Sequence, residues 1–491
     1  MIFALVLLPL AAGLAAFGLR ADRPRRGLLV VTALAHAGLT AGGWAGWYQP
    51  AWGGWLALDP VGLLFLSITS ILFLASAFYS VGFLAQEGHT HHIDLEEHLF
   101  FRNEPEAVFT GCLLLFLAAM TLVSLSQHFG ILWVSIEATT LASAPLICFH
   151  RHHRSLEATW KYLLLCSVGI ALALLGNFLL AIAAFDVSSA STPLVLTNLI
   201  MSANRLHVPW LEGAFLFFLV GYGTKMGLAP LHTWLPDAHS ESPSLVSALL
   251  SGALLNCAFV GILRAHQVCA AAGVASFSRG LLVVFGLMSM AVAAVFILGQ
   301  TDFKRMLAYS SVENMGILAF GVGLGGVGVY GAALHAVCHS LTKAALFLVA
   351  GNILATYGTK TVRDVRGLRQ VLPVSGGLWL VGFLAITGTP PFGSFVSELT
   401  ILRAAIDQGN TLVVVLYLSF LAVVFMGMAS LVLPMIQGKA PEGTPRASSR
   451  EALWATLPSF LLVAVVFVLG VYIPHPLSAL LDSVARSLGG A

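Results

Sequence analysis

The chain has 491 residues, 58% of them hydrophobic and 9% charged, with a formal net charge of +2. Soluble globular chains carry roughly 45–50% apolar and about 25% charged residues, so most of this surface must face lipid, and a soluble enzyme is excluded. A charge this near neutral, with no basic patch interleaved with aromatics, excludes a nucleic-acid partner as well.

The first apolar stretch, IFALVLLPLAAGLAAFGL, is followed rather than preceded by arginines (Arg20, Arg23, Arg25, Arg26). That order is the reverse of a cleaved signal peptide, and the stretch is expected to stay as the first span. A hydrocarbon core of roughly 30 Å takes about 20 apolar residues per helix. Fourteen such stretches follow one another near 2–19, 28–47, 61–84, 107–125, 129–149, 160–184, 211–231, 243–263, 281–298, 306–324, 329–356, 374–402, 412–436 and 453–473. Residues 192–208 are apolar on one face only and are assigned to the membrane interface. With the N-terminus outside, seventeen lysines and arginines fall on the inner side and five (Arg205, Arg264, Arg279, Arg403, Arg486) on the outer side. This asymmetry places both termini outside, and Trp44, Trp47, Tyr48, Trp52 and Trp55 form an aromatic belt at one outer turn.

The six cysteines include no CxxC pair and five lie in apolar runs, as expected of small buried hydrophobes. Thiol redox, haem and iron-sulfur ligation are unsupported, and there is no P-loop or cofactor fingerprint. No cofactor is therefore assigned, and the energy for any transport has to come from partner subunits or an existing ion gradient. The inner loop GHTHHIDLEEHLFFRNEPEA carries His89, His91, His92, His98, Asp94, Glu96 and Glu97, and HRHH adds His150, His152 and His153. These donors suit zinc but lack a regular ligand spacing, so no metal is assigned and the loop is read as a polar contact for a soluble partner.

An ionisable group at membrane depth costs at least a few kcal/mol unless paired or hydrated, so the few that occur are candidate functional residues. Glu137 lies about halfway through its span. Lys225 precedes Pro230, which removes a backbone donor and should break the helix. His335, His339 and Lys343 recur at i, i+4 and i+8 and share one helical stripe that can hold a file of water. Glu398 follows Gly388, Pro390, Pro391 and Gly393 in a second interrupted helix. Lys161, at the inner start of its span, fits interfacial snorkelling as well as a place on a buried axis.

The stretches KMGLAPLHTWLPDAHSESPSLVSALLSGALL, QTDFKRMLAYSSVENMG and HAVCHSLTKAALFLVAGN resemble the antiporter-like membrane subunits of respiratory complex I, Mrp-type antiporters and energy-converting hydrogenases. LEATWKYLLLCSVGIALALLGN and SGALLNCAFVGILR are most similar to the F-type membrane protein of hydrogenase-4 and formate hydrogenlyase-like complexes. The resemblance implies an all-α polytopic fold of about fourteen transmembrane helices with two inverted five-helix repeats containing broken helices. Those repeats would be 107–265 and 277–436, after an N-terminal three-helix segment (1–106) and before a C-terminal helix and tail (437–491). It also implies that Glu137, Lys225, Lys343 and Glu398 form a buried charged axis, with Lys161 an accessory lysine and His335 and His339 linking the halves. Relatives often carry a lysine or histidine on the eighth helix, where this chain has Ser251 and Asn256; Asn256 can organise water but cannot carry a proton at neutral pH.

The function expected is proton translocation along that axis, as a subunit without its own redox centre in a hydrogenase, formate hydrogenlyase or complex I related complex. The partners would be other membrane subunits and a soluble redox arm on the inner side of a bacterial or archaeal plasma membrane. A stand-alone cation/proton antiporter and a non-conducting structural anchor are the alternatives; exchange of protons against sodium would use the same residues.

Overall fold

The computed structural model describes residues 1–87, 92–93, 100–185, 193–440 and 451–489. Helices dominate: α1 (Ile2–Gly18), α2 (Asp22–Trp44), α3 (Pro60–Glu87), α4 (Glu106–Leu125), α5 (Phe129–Ile147), α6 (His153–Ala183), α7 (Leu196–Met201), α8 (Val208–Met226), α9 (Trp234–Glu241) and α10 (Ser244–Leu249). They continue as α11 (Leu255–Ala271), α12 (Ala275–Ile297), α13 (Phe303–Leu324), α14 (Val327–Tyr357), α15 (Leu368–Val371), α16 (Pro373–Ile386), α17 (Gly393–Asp407), α18 (Thr411–Ile436), α19 (Leu453–Val471) and α20 (His475–Ser487). A two-residue strand pair, His92–Ile93 with Phe100–Phe101, lies between α3 and α4.

Ten helices among the described residues are long and apolar enough to cross a membrane, counting α10 and α11 as one (Ser244–Ala271), and α1 and α16 are shorter apolar helices. Each of the fourteen apolar stretches coincides with a helix or with the parts of an interrupted one. Residues 193–208 hold the six-residue α7 and a 3-10 turn at Ala203–Arg205, far too short to cross. Several helix starts are capped by side chains: the Asp302 carboxylate accepts from the Lys304 and Arg305 amides, and His128 and Asn410 accept from backbone amides of α5 and α18.

Close packing rests on small residues, as it must where lipid supplies no hydrophobic drive between helices. A Cβ on Gly221 of α8 would lie 2.6 Å from the Gly169 carbonyl of α6, and Gly286 of α12 and Gly316 of α13 each meet the other's carbonyl at 2.7 Å. At the centre runs α14, buried over nearly its whole length and packed against α10, α13, α16, α17 and α19.

Two spans are interrupted. α8 ends at Gly227 in the left-handed conformation (φ 82°), where a Cβ would collide with Leu235. The loop to α9 is held by the Trp234 indole donating to the freed Thr224 carbonyl at 2.8 Å and by the Ala229 amide donating to Ser289 Oγ at 2.9 Å. α16 and α17 are separated by 387–392, with Gly388 at φ 62°. Both breaks fall where the prolines place them. The π-helical turn Leu250–Leu254 between α10 and α11 has no counterpart in the sequence reading.

Residues 88–91 and 94–99, which hold His89, His91, His98, Asp94, Glu96 and Glu97, lie outside the described residues, as does the His92 side chain. His150 pairs with Asn103 at 2.9 Å and His152 accepts from the Ser155 amide at 3.2 Å. No group of three or more metal-ligating side chains occurs among the described residues.

Candidate functional site: a buried polar axis

At the first break Lys225, fully buried on the last turn of α8, reaches across α6 to α5. Its ammonium donates to the Thr140 hydroxyl and, at 3.0 Å, to Tyr162 Oη. Thr140 Oγ1 in turn donates to Glu137 Oε2 at 3.1 Å. The acid and the base therefore do not touch. One hydroxyl stands between them, accepting from the lysine while donating to the carboxylate, which is the arrangement a hydroxyl needs to relay a proton. Tyr162 Oη lies 2.7 Å from Ser143 Oγ, and its ring is 5.0 Å from the ammonium. Glu137 and Lys225 are expected on adjacent helices; in the structure α6, which supplies Tyr162, packs against both α5 and α8.

The middle of the axis is polar but uncharged. Asn256 Nδ2 donates to Ser340 Oγ at 2.8 Å and to the Gly252 carbonyl at 2.8 Å, and Ser251 Oγ lies 2.8 Å from Ser311 Oγ. Among the described residues, Asn256 Oδ1 is buried with no hydrogen-bond partner, as are both ring nitrogens of His339, the neighbour of Ser340. A π turn displaces carbonyls from the helical ladder, and the backbone of Ser251 in that turn lies beside His339.

The stripe predicted on α14 is present and faces protein, not lipid. His335, His339 and Lys343 are fully buried, and the two imidazoles stack at 6.3 Å. His335 Nε2 bonds Asn314 Oδ1 of α13 at 3.0 Å and Nδ1 bonds Ser397 Oγ of α17 at 2.9 Å. Asn314 spends its amide on the Ser310 carbonyl at 2.7 Å, so its oxygen must accept and Nε2 carries a hydrogen. Ser397 has one proton and two takers, His335 Nδ1 and the Ser394 carbonyl at 2.7 Å. A neutral His335 receives it; a protonated one donates to Ser397, whose proton turns to Ser394. The ring can thus gain and lose a proton without leaving a group unpaired.

Lys343 Nζ donates to the Leu307 carbonyl at 2.6 Å. Glu398 sits against the second break, with Gly388 so close that a Cβ there would lie 1.9 Å from Glu398 Oε2. Lys161 is at the surface, 46% exposed, bonded to Glu157 at 2.7 Å and Asp237 at 2.9 Å, and Asp237 also binds Arg305 at 2.6 Å. The structure thus joins Glu137 and Lys225, gathers His335, His339, Lys343 and Glu398 around α14, and keeps Lys161 apart.

Sequence reasoning misses several residues. Thr140, Tyr162 and Ser143 are hydroxyls in apolar helices, where such groups usually satisfy their own preceding turn. Glu313, 4% exposed on α13, lies inside a stretch quoted for its family resemblance and is still an ionisable group at depth, the signal that picks out Glu137. His239 is buried against Phe347, and neither ring nitrogen has a hydrogen-bond partner among the described residues. Lys304, counted among inner-side cations, is buried and donates to the carbonyls of Ser240 (3.0 Å) and Ser242 (2.6 Å). It borders a cavity of about 540 Å³ that Ser240, Glu241, Lys360, His152 and Glu451 also line.

This geometry has relatives. A 38% identical protein, the hydrogenase-4 component F homolog of Methylacidiphilum infernorum, aligns over 401 residues, 81% of each chain. Hydrogenase-4 component B of Escherichia coli is 29% identical over 74% of this chain and 56% of its own. Among solved structures, a chain of an archaeal membrane-bound sulfane sulfur reductase superposes with a TM-score of 0.87 at 22% identity, covering 100% of this chain and 98% of that one. A chain of the Mrp complex from Dietzia gives 0.81 at 20% identity over 99% and 96%. The family model described as NADH:quinone oxidoreductase/Mrp antiporter, transmembrane, matches residues 126–426, which hold the whole axis from Glu137 to Glu398, and the chain belongs to that family.

Proposed function

We propose that this chain is the proton-translocating, antiporter-like subunit of a membrane-bound redox complex of the hydrogenase or complex I kind, seated in a prokaryotic plasma membrane. The observation that carries the reading is the Lys225–Thr140–Glu137 relay, a buried base joined by one hydroxyl to a half-buried acid at a helix break. Fourteen crossings, both termini outside and two inverted repeats at 107–265 and 277–436 fit the helix order and the lysine and arginine asymmetry.

Protons enter from the inner side and charge Lys225. In a low dielectric, approach of Glu137 and Lys225 favours both charged forms and separation favours both neutral ones, so displacing one charge moves the proton on the other. The proton passes Asn256 and the Ser251–Ser311 pair by water to His339 and His335, then to Lys343, and Glu398 exchanges with the outer side. Movement of one charge changes the cost of the next, which is how a redox partner on the inner side would drive the series. The names of the hydrogenase-4 relatives support that class of partner.

The test is Lys225→Met in the complex purified with its membrane partners and reconstituted into vesicles. Redox turnover should continue and acidification of the lumen should cease. Lumen acidification at the wild-type rate by the Met variant would refute the reading.

A further inference from the structure

We infer that Glu313 is a proton-carrying residue of the axis, the second repeat's counterpart of Glu137 and the step between Lys343 and Glu398. The inference rests on the proposed proton translocation and extends it to a residue that the resemblance does not supply. Three observations converge on Glu313. It is buried midway along α13, where an idle carboxylate is costly. In helix order α13 occupies in the second repeat the place that α5 occupies in the first, so Glu313 and Glu137 are both mid-helix acids of matching elements. Each acts on one lysine: Glu137 is the carboxylate within electrostatic reach of Lys225, and Glu313 is the carboxylate within reach of Lys343.

The surroundings give Glu313 both a donor and an outlet. The charges facing it are Lys343 on α14 and Glu398 on α17, with the Tyr417 hydroxyl of α18 near both acids. The other titratable groups on the helices packed against α13 are Tyr330, His335, Cys338, His339 and Tyr357 of α14, Asp237, His239 and Glu241 of α9, Arg279 of α12, and Arg403 and Asp407 of α17. Asn314 Nδ2 lies 3.4 Å from Glu313 Oε2, Asn314 Oδ1 meets His335, and His335 meets Ser397, the residue before Glu398. A proton leaving the Lys343 ammonium for the Glu313 carboxylate gives a neutral amine and a neutral acid. Its onward transfer to the Glu398 carboxylate restores the Glu313 charge, which draws the next proton to Lys343.

Proton pumping is measured in vesicles holding the purified complex as wild type, Glu137→Gln, Glu313→Gln and Glu313→Asp, with electron transfer followed in parallel. Glu313→Gln should lose pumping by at least about tenfold at unchanged electron transfer. Glu313→Asp should retain part of it, with its rate-against-pH curve displaced, which a purely structural acid would not produce. Wild-type pumping by Glu313→Gln, with Glu137→Gln inactive, overturns this inference and leaves proton translocation standing; wild-type pumping by both Gln variants overturns the translocation reading itself. If Glu313→Gln does not assemble, Glu313→Asp decides: a slowed rate with a displaced pH curve supports the role, and wild-type rate and curve overturn it.

Discussion

Thr140 carries the first half of the axis as much as the two charges it joins. Thr140→Val keeps the shape and removes the hydroxyl, so Lys225 loses one of its two side-chain acceptors and Glu137 its donor. Proton translocation should fall by about tenfold with assembly intact, measured as lumen acidification in vesicles; an unchanged rate would mean that Lys225 and Glu137 exchange protons by another path. Glu137→Gln, which fixes the side chain neutral, should be at least as damaging, and Glu137→Asp milder. Ionisable groups in apolar runs stand out in the sequence because each violates the hydropathy of its span. Thr140 and Tyr162 do not violate it, so their partners become visible only when α5 and α6 are set beside α8. Glu313 shows the reverse failure, since its charge is legible but its neighbours are not.

At the scale of the element, the breaks are set by glycine and proline, which is why the sequence locates them. What it cannot supply is which side chain each break receives. Gly388 combines a left-handed φ with contact to the Glu398 carboxylate. Gly388→Ala should therefore cost about 1 kcal/mol in the backbone alone and displace the carboxylate, lowering pumping more than stability; equal losses in both would make Gly388 merely structural. The start of α3 illustrates a different element-scale bond. Asp59 accepts a bidentate pair from Arg264 of α11 at 2.5 and 2.6 Å, plus the Gly62 amide and Gln127. Burial raises the Asp59 carboxyl, but the Arg264 guanidinium and these donors outweigh it and hold the group below its usual value. A depressed acid stabilises the fold above its unfolded value and loses that contribution as pH falls through the folded one. Asp59→Ala would strand a buried guanidinium and should cost about 3 kcal/mol or more, read as a lowered thermal midpoint in detergent. The loss should shrink in acid, where wild type forfeits the same interaction.

For the whole molecule, the orientation proposed from charge placement can be tested directly. The native cysteines are buried or half-buried, so Asp482→Cys on α20 should react with an impermeant maleimide in intact spheroplasts, and Arg363→Cys only after lysis; the opposite pattern would invert the topology. The number and order of apolar stretches are legible because lipid imposes one period and one length on every span. The packing of those spans is not, because it depends on close approaches between glycines far apart in sequence. One of them ties distant parts together. Along α19, Trp454 fills the space in which a Cβ on Gly82 of α3 would sit, and at its other end a Cβ on Gly470 would lie 1.8 Å from the Pro391 carbonyl, in the second break. The helix is thus a strut with no slack at either end, bearing on the N-terminal helices and on the loop that aims Glu398. A bulky residue at Gly470, which is only half-buried and far from the charges in sequence, has nowhere to go except into that loop, so an acid at the centre of the bundle owes its aim to the outline of a helix at its rim.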